Sequence, residues 1–213
     1  MRDLLKHALE ADLPGDETAE RIMGAALTQA EDFGLRRFTV DDVARRVGLS
    51  RVTIYRYFPK KDQLLNALVL REMKRFLTKV DDVVEAQGSP EEKLIEGLSF
   101  SLGYLRGHRL LNRLLRTEPE LILPQLTVQA GGLFAAARTR IGAHFHAEIA
   151  AGRLSLPAED VDGMAELLIR IVVSLVLTPE TVLPVDDDVE RRRVAELYLA
   201  PIVRSLRPAG PGR

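Results

Sequence analysis

Residues 39–65 read TVDDVARRVGLSRVTIYRYFPKKDQLL, and this stretch indicates the architecture of the N-terminal region. Thr39 and Ser50 each precede a run of about eight residues, and a hydroxyl at that place commonly caps the first turn of a helix. Asp42 strengthens the first of these starts, because an acidic residue three positions after the cap resembles a capping box. Gly48 allows a tight turn between the two runs. The stretch therefore predicts two short helices arranged as a helix-turn-helix.

The second of these helices is expected to have two unlike faces. Ile54 and Phe58 are four residues apart, so they lie on one side and pack inward. At 100° per residue, Val52, Thr53 and Arg56 point the other way. Such an outward face suits the major groove of DNA, which admits a helix and displays base edges. An exposed helix with ordinary caps and no partner is the alternative interpretation.

Individual DNA contacts follow from the chemistry of these side chains. Arg51 is expected to bond a guanine through two N–H groups, while Val52 and the Thr53 methyl pack on thymine methyls. The cap hydroxyls, the tyrosine hydroxyls and the Lys61 ammonium at the start of the next helix suit phosphates. The predicted DNA-contacting residues are Thr39, Ser50, Arg51, Val52, Thr53, Tyr55, Arg56, Tyr57 and Lys61.

Basic residues are concentrated around the same stretch. From Arg36 to Lys79 the chain has 12 Lys or Arg and four acidic residues, a net charge of +8. Because the whole chain has a formal charge of -1, the remainder carries -9. A basic block in an otherwise acidic chain indicates that this region meets a polyanion. A solvated, charged helix face is the alternative.

Residues 39–65 resemble the DNA-binding domain of the TetR family of repressors. The matching residues are Val43-Ala44, Gly48, Ser50, Thr53-Ile54-Tyr55, Tyr57-Phe58, Lys61 and Leu64-Leu65. Tyr57 stands where many relatives have His. The resemblance implies a homodimer whose two modules bind an inverted-repeat operator, and a C-terminal domain that binds a small inducer. Leu167–Pro179 is also similar to the penultimate helix of many actinobacterial-type members.

Helical periodicity and turn residues predict an all-α chain of about nine helices, with an N-terminal three-helix module followed by a C-terminal helical bundle. Thr18 is the expected cap of the first helix, and Gly34 ends it. Ser89 and the acidic run 186–188 are expected to cap later helices. The later helices are predicted at 61–87, 90–107, 109–116, 125–151, 159–177 and 187–206, and Pro119 and Pro124 are expected to mark a turn before the helix at 125–151. The expected regions are a flexible N-terminal arm at 1–17, a helix-turn-helix DNA-binding domain at 18–62, and a ligand-sensing and dimerisation domain at 63–213.

Two segments of the C-terminal half are expected to form the dimer interface. Residues 164–177 are apolar on all sides, which is unusual for a helix that faces solvent, and 189–206 follow them. In the family that the chain resembles, the last two helices pair across the two-fold axis. The alternative is that 164–177 form the central core helix of one monomer. Arg170 and Ser174 are expected to be hydrogen-bonded structural groups, with an anionic ligand as the alternative for Arg170.

A ligand pocket is expected among the middle helices, where large apolar side chains are mixed with a few polar ones, as in small-molecule sites. Each of these residues has an alternative place in the core or at the surface. The candidates are Phe100, Tyr104, His108, Leu111, Gln129 and Phe134.

The composition excludes several classes of function. The chain has no cysteine, which excludes disulfides, thiolate catalysis and Cys-ligated zinc. His144 and His146 lie about 200° apart on a helix and cannot grip one ion, so no metal is expected. A Gly-rich phosphate loop and a recognisable catalytic grouping are lacking, so neither enzyme activity nor a cofactor is expected. Without an apolar leader or a run of about 18 apolar residues, we expect a cytoplasmic protein with no membrane segment.

Together these patterns predict a DNA-binding repressor that leaves its operator when the C-terminal domain binds a small molecule. The alternative keeps the DNA-binding module but assigns the C-terminal domain to a protein partner. A large apolar patch left exposed in the dimer would favour that alternative.

Overall fold

The computed structural model describes residues 16–206, in which every regular element is a helix. The helices are α1 (Glu17–Phe33), α2 (Val40–Val47), α3 (Arg51–Tyr57), α4 (Lys61–Glu85), α5 (Pro90–Gly107), α6 (Arg109–Thr117), α7 (Pro119–Leu126), α8 (Gly131–Ala150), α9 (Ala158–Leu177), α10 (Asp188–Val194) and α11 (Ala200–Ser205). A π-helical turn, Ala195–Leu199, joins α10 to α11 without a break. The predicted all-α class, with a three-helix module followed by further helices, is confirmed.

The chain divides into two compact units. The first contains the described residues up to Phe76 together with His108–Leu133, and the second contains Leu77–Gly107 and the described residues from Phe134 onward. Helix α4 contributes to both units, since the division falls inside it. The first unit is therefore built from two separate pieces of chain. The predicted boundary at 62/63 divides the chain by function rather than by packing, and it stays a prediction.

In the first unit, α1, α2 and α3 pack around a shared apolar core. Ile22 of α1, Val43 of α2 and Ile54 of α3 are fully buried. Phe38 and Phe58, which lie just before α2 and just after α3, are almost fully buried as well. Helices α4 and α6 extend this core with Leu64, Leu68, Leu110 and Leu114. The three-helix module therefore packs against His108–Leu133, the second segment of chain in the first unit.

The segment after α6 also fixes the turn that leads into α2. The buried carboxylate of Glu118 accepts the N–H of Leu35 at 3.0 Å and the N–H of Arg36 at 3.2 Å. Gly34, in the same turn, has a φ of 78°, a backbone conformation in which residues other than glycine are strained. A Cβ at Gly34 would also collide with the Glu118 carboxylate. The turn therefore needs both this glycine and this buried acid.

Two of the predicted helix starts are confirmed outside the three-helix module. Ser89 Oγ accepts the N–H of Glu92 at 3.2 Å, while the Glu92 carboxylate accepts the N–H of Ser89 at 3.1 Å. This reciprocal pair is a capping box at the start of α5. At the start of α10, the Asp187 carboxylate accepts the N–H of Glu190 at 2.9 Å. Both caps leave fewer unsatisfied N–H groups at the helix starts.

The first helix begins earlier than predicted. Asp16, not Thr18, is its cap, and the Asp16 carboxylate accepts the N–H of Ala19 at 2.8 Å. Aspartate caps as well as threonine does, and an anion there is also favoured by the positive end of the helix dipole. Residues 16 and 17 therefore belong to the start of α1 rather than to the predicted N-terminal arm. The rest of that arm, residues 1–15, lies outside the described residues.

The segment predicted as a proline-marked turn forms helix α7. Pro119 occupies its first position, where the missing N–H has no partner to lose. Pro124 lies inside the helix, which ends two residues later at Leu126. Residues 127–130 then separate α7 from α8, so the helix predicted at 125–151 begins only at Gly131. With α10, the π turn and α11 counted as one, residues 16–206 contain ten helices instead of nine.

The second unit has its own apolar core. The buried members from α5, α8, α9 and α11 include Leu94, Phe145, Val161, Leu168 and Val203. Because one face of α9 is buried here, part of the predicted all-round apolar helix serves the core of a single chain. Within residues 16–206 no helix is both long and apolar enough to cross a membrane.

One buried acid in the second unit is held by two cations. Glu148 accepts from Arg153 Nε at 2.6 Å and from Lys93 Nζ at 2.7 Å, and its side chain is almost fully buried. The hydrogen bonds from Arg153 and Lys93 lower the pKa of Glu148 from 4.5 to about 2. The buried charge is therefore compensated on both oxygens. This cluster joins α5 to the end of α8.

Candidate nucleic-acid interface

Helices α2 and α3 are held in a helix-turn-helix by the residues predicted to cap them. Thr39 Oγ1 accepts the N–H of Asp42, and Ser50 Oγ accepts the N–H of Thr53, both at 3.1 Å. Gly48 ends α2 with a φ of 72°, in the left-handed region, so the chain turns at once into α3. The predicted caps and the predicted turn are confirmed.

Helix α3 has the two faces that its sequence predicts. Ile54 is fully buried and Phe58 is 3% exposed, so both anchor the helix to the core. Val52 is 79% exposed, the Arg51 side chain is 60% exposed, and Arg56 is exposed too. The helix therefore offers a cationic and partly apolar surface to solvent. Thr53, Tyr55 and Tyr57 are half-buried.

Arg51 is held by an acid of the preceding helix. Its Nε lies 3.1 Å from Asp41 Oδ1, and its Nη1 donates to Asp41 Oδ2 at 3.3 Å. The guanidinium carbon lies 5.5 Å from the centre of the Tyr55 ring. A hydrogen bond to Tyr55 and the charge of Asp41 raise the pKa of Arg51. Asp41 was not among the residues predicted from the sequence, because a contact between two helices has no signature in local spacing.

Other residues of the predicted contact set have partners within the first unit. Ser50 Oγ lies 2.9 Å from Thr53 Oγ1. The pKa of Asp16 is lowered by the N–H of Ala19 and by a hydrogen bond with the Tyr57 side chain. Lys61 Nζ donates to the carbonyl of Leu35 at 3.4 Å. The Tyr57 hydroxyl would have to leave Asp16 in order to donate to a phosphate, whereas the Lys61 ammonium has two further N–H donors for one. Both phosphate contacts stay predictions.

Several arginines near α2 belong to the basic block, although the sequence predicts no individual contact for them. Arg45 pairs with Asp42 one turn earlier, and Arg46 donates to Asp32 of α1 at 2.9 Å. An open groove of about 460 Å³ is lined by Gln29, Phe33, Arg37, Asp42, Arg45 and Arg46. The net charge of the segment is the sequence signal that indicates these arginines. Which of them faces outward depends on how α1 and α2 pack in the folded unit.

The predicted ligand-pocket residues are divided between the two units. In the second unit, the rings of Phe100 and Tyr104 are 5.7 Å apart, and Phe134 is buried beneath the Arg170 guanidinium. In the first unit, His108 caps α6 by accepting the N–H of Leu111 at 3.3 Å, and its Nε2 lies 3.7 Å from Glu72. Gln129 is exposed and accepts from Gln125 at 2.7 Å. Their role in ligand binding stays a prediction.

The two helices predicted to form the dimer interface leave apolar side chains in solvent. Leu167 of α9 is 46% exposed, although neighbours on the opposite face of α9 are buried. Leu197 and Tyr198, in the π-helical turn, are 59% and 57% exposed. Arg170 donates to Glu166 on its own helix, which agrees with the structural role expected for it. The π-helical turn lies just before Pro201, whose ring would clash with a carbonyl four residues earlier in a regular α-helix.

The histidines of α8 lie in different surroundings. His144 Nε2 is 2.9 Å from Asp81 Oδ1, whereas His146 is exposed. Among the residues described, no group of three or more His, Cys, Asp or Glu side chains is placed to hold a metal ion.

The capped helix pair and its exposed cationic face define a helix-turn-helix DNA-binding protein. Residues 22–68 match the family of bacterial regulatory proteins described as the tetR family, and residues 91–197 match the C-terminal domain of the bacterial tetracycline repressor. The chain therefore belongs to the TetR family of DNA-binding transcriptional regulators, which are not enzymes.

Similar proteins agree with this membership. An uncharacterised HTH-type transcriptional regulator of Mycobacterium tuberculosis is 31% identical over 198 residues, covering 87% of this chain and 85% of the relative. The TetR family repressor AlkX of a Dietzia strain, implicated in biodegradation of n-alkanes, is 24% identical with a TM-score of 0.61, covering 90% of this chain and 97% of that one. The regulator FadR of Bacillus subtilis, in complex with stearoyl-CoA, is 18% identical with a TM-score of 0.52, covering 83% and 96%. The two structures share the fold of this chain.

Proposed function

We propose that this regulator is a repressor that binds an inverted-repeat operator as a homodimer and is released by a small molecule. The observation that carries the proposal is the orientation of α3. Ile54 and Phe58 anchor the helix, and Arg51, Val52 and Arg56 remain available to the edges of bases. In a dimer that occupies successive major grooves, the two copies of α3 lie about 34–36 Å apart.

Release by a ligand requires that the ligand binds one arrangement of the dimer better than the other. In the second unit, Phe100, Tyr104 and Phe134 supply aromatic surface of the kind that lines small-molecule sites. Two similar proteins support a repressor role and an apolar ligand, since AlkX is a repressor and the FadR structure contains stearoyl-CoA. The proposed ligand class for this chain is therefore a small molecule with a substantial apolar part.

The experiment is footprinting on the DNA that flanks the gene of this protein, repeated with a metabolite panel that includes long-chain acyl-CoA thioesters. We expect a protected inverted repeat, and loss of protection with at least one member of the panel. Protection that no metabolite changes would contradict the ligand-released part of the proposal. Protection of a single half-site would contradict the dimeric part.

Gel shifts with the protected operator sequence and the variant Arg51→Ala test whether α3 is the helix that reads the operator. A bidentate arginine–guanine pair discriminates by about 1–3 kcal/mol, so Arg51→Ala should weaken operator binding by about 5- to 150-fold in gel shifts. Arg116→Ala is the matched control, because Arg116 is an exposed arginine of the first unit outside α2 and α3. Full sequence-specific affinity in Arg51→Ala would show that α3 does not read the operator through this residue.

A further inference from the structure

The pair formed by Asp41 and Arg51 joins the first turn of α2 to the first turn of α3. Both oxygens of the carboxylate face the guanidinium, at 3.1 Å and 3.3 Å. Both side chains are more than half exposed, so the pair lies at the surface that the proposed function assigns to DNA. The arginine assigned to base reading is therefore already neutralised before DNA arrives.

This pairing treats the two kinds of DNA acceptor differently. A guanidinium has five N–H donors, so it can keep a carboxylate partner while it bonds the O6 and N7 of a guanine, which carry no net charge. A phosphate is an anion, and sharing Arg51 between a phosphate and Asp41 brings two negative groups close together. The pair is consequently compatible with a guanine edge and unfavourable for a phosphate.

The pair also restricts where Arg51 can point. A long flexible side chain loses conformational freedom when it binds, and a partner that holds it beforehand reduces that loss. Arg45, by contrast, pairs with Asp42 on its own helix, and Arg46 pairs with Asp32 of α1. Neither of those pairs includes a residue of α3.

We propose that Asp41 is a specificity-determining residue, which keeps the charge of Arg51 from phosphates of non-operator DNA while leaving Arg51 free to read a guanine. The proposal rests on the proposed function, because it assumes that Arg51 reads the operator. It assigns to an acidic residue of α2 a role in rejecting wrong sequences. Asp41 acts through Arg51 and need not touch DNA itself.

The test compares Asp41→Asn with the wild-type protein on two duplexes. One is the strongest duplex that the wild-type protein selects from a randomised library, and the other is a scrambled duplex of the same length and composition. We expect Asp41→Asn to bind the scrambled duplex about five- to tenfold more tightly and the selected duplex within about threefold of wild type. Each DNA-binding module of the dimer should gain about one phosphate contact on scrambled DNA. The slope of log affinity against log salt concentration should then become steeper by about 0.9 per module on that duplex.

Two control variants separate this role from a general effect of charge. Asp62→Asn removes the same charge from an exposed position in the first turn of α4, and it should shift the affinities for the two duplexes by similar factors. Asp41→Glu keeps the charge and should keep binding to the scrambled duplex weak. The measured quantity is the affinity for the selected duplex divided by the affinity for the scrambled duplex. If Asp41→Asn leaves this ratio at its wild-type value, or if Asp62→Asn lowers it as much as Asp41→Asn does, the proposal is wrong.

A double variant shows whether Asp41 acts through Arg51. In an Arg51→Ala background, Asp41→Asn should no longer change the ratio of affinities, and a change there would overturn the proposal. If Arg51→Ala lowers the ratio and Asp41→Asn does not, this inference fails while the proposed function stands. If Arg51→Ala leaves the ratio unchanged, the reading role of Arg51 fails and this inference fails with it.

Discussion

Two acidic residues of this protein hold cations in opposite ways. Asp41 pairs with Arg51 in solvent, and exposed pairs of this kind contribute little to the free energy of unfolding. Glu148 is buried, and its hydrogen bonds to Arg153 and Lys93 cannot be replaced by water. The first pair lies at the surface that the proposed function assigns to DNA, where Arg51 keeps further N–H donors for a guanine. The second is a fixed part of the core of its unit.

The low pKa of Glu148 predicts how stability depends on pH. Because the folded-state pKa is about 2 and the ordinary value is 4.5, the stabilisation is complete above about pH 4.5 and is lost as the pH falls toward 2. Glu148→Gln should therefore lower the free energy of unfolding at pH 7 by about 3 kcal/mol, and the difference from wild type should shrink below pH 4.5. Urea unfolding between pH 7 and pH 2.5 measures both.

Glu159→Gln is the matched control for this prediction, because Glu159 is an exposed acid in the first turn of α9. Its unfolding free energy should follow wild type across the same pH range. A constant difference between Glu148→Gln and wild type at every pH would show that the charge of Glu148 is not what stabilises the unit.

Within the single element α3, neighbouring side chains have different roles: Ile54 stabilises the fold, and Val52 is available to contact DNA. Ile54→Ala removes buried volume and should cost about 2–5 kcal/mol of unfolding free energy. Val52→Ala changes a side chain that is 79% exposed, so it should change stability by less than about 0.5 kcal/mol. Operator affinity should nevertheless fall in Val52→Ala, because a contact with a thymine methyl is lost. Thermal unfolding and gel shifts on the same two variants measure this contrast, and equal loss of stability in both would contradict the orientation of α3.

Elements with a local signature were predictable from the sequence. Thr39, Ser50 and Ser89 cap helices because each hydroxyl lies three residues before the N–H that it accepts. Gly48 ends its helix because glycine adopts a positive φ without strain. Helix α7 was missed because Pro119 and Pro124 were interpreted as turn residues, although proline is compatible with a first helical turn. The pair between Asp41 and Arg51 depends on how two helices pack, and spacing along the chain contains no information about it.

At the scale of the whole molecule, exposed apolar residues in the last two helices predict where two chains meet. Leu197→Asp places a charge in the proposed interface and should convert dimers to monomers in analytical ultracentrifugation, with loss of operator binding. Val182→Asp is the matched control, because Val182 is 99% exposed in the segment between α9 and α10. Dissociation by both variants, or by neither, would contradict dimerisation through these helices.

Glu118 has a practical consequence for anyone who wants to transplant the DNA-reading head. A fragment cut at Phe76 would lose the acid that holds the amides of Leu35 and Arg36, and it would lose Leu110 and Leu114 from its core. A chimaera that grafts this head onto a different sensor must therefore bring His108–Leu133 along with it. Exchanging operator preference between relatives then means moving two stretches of gene together, not one cassette.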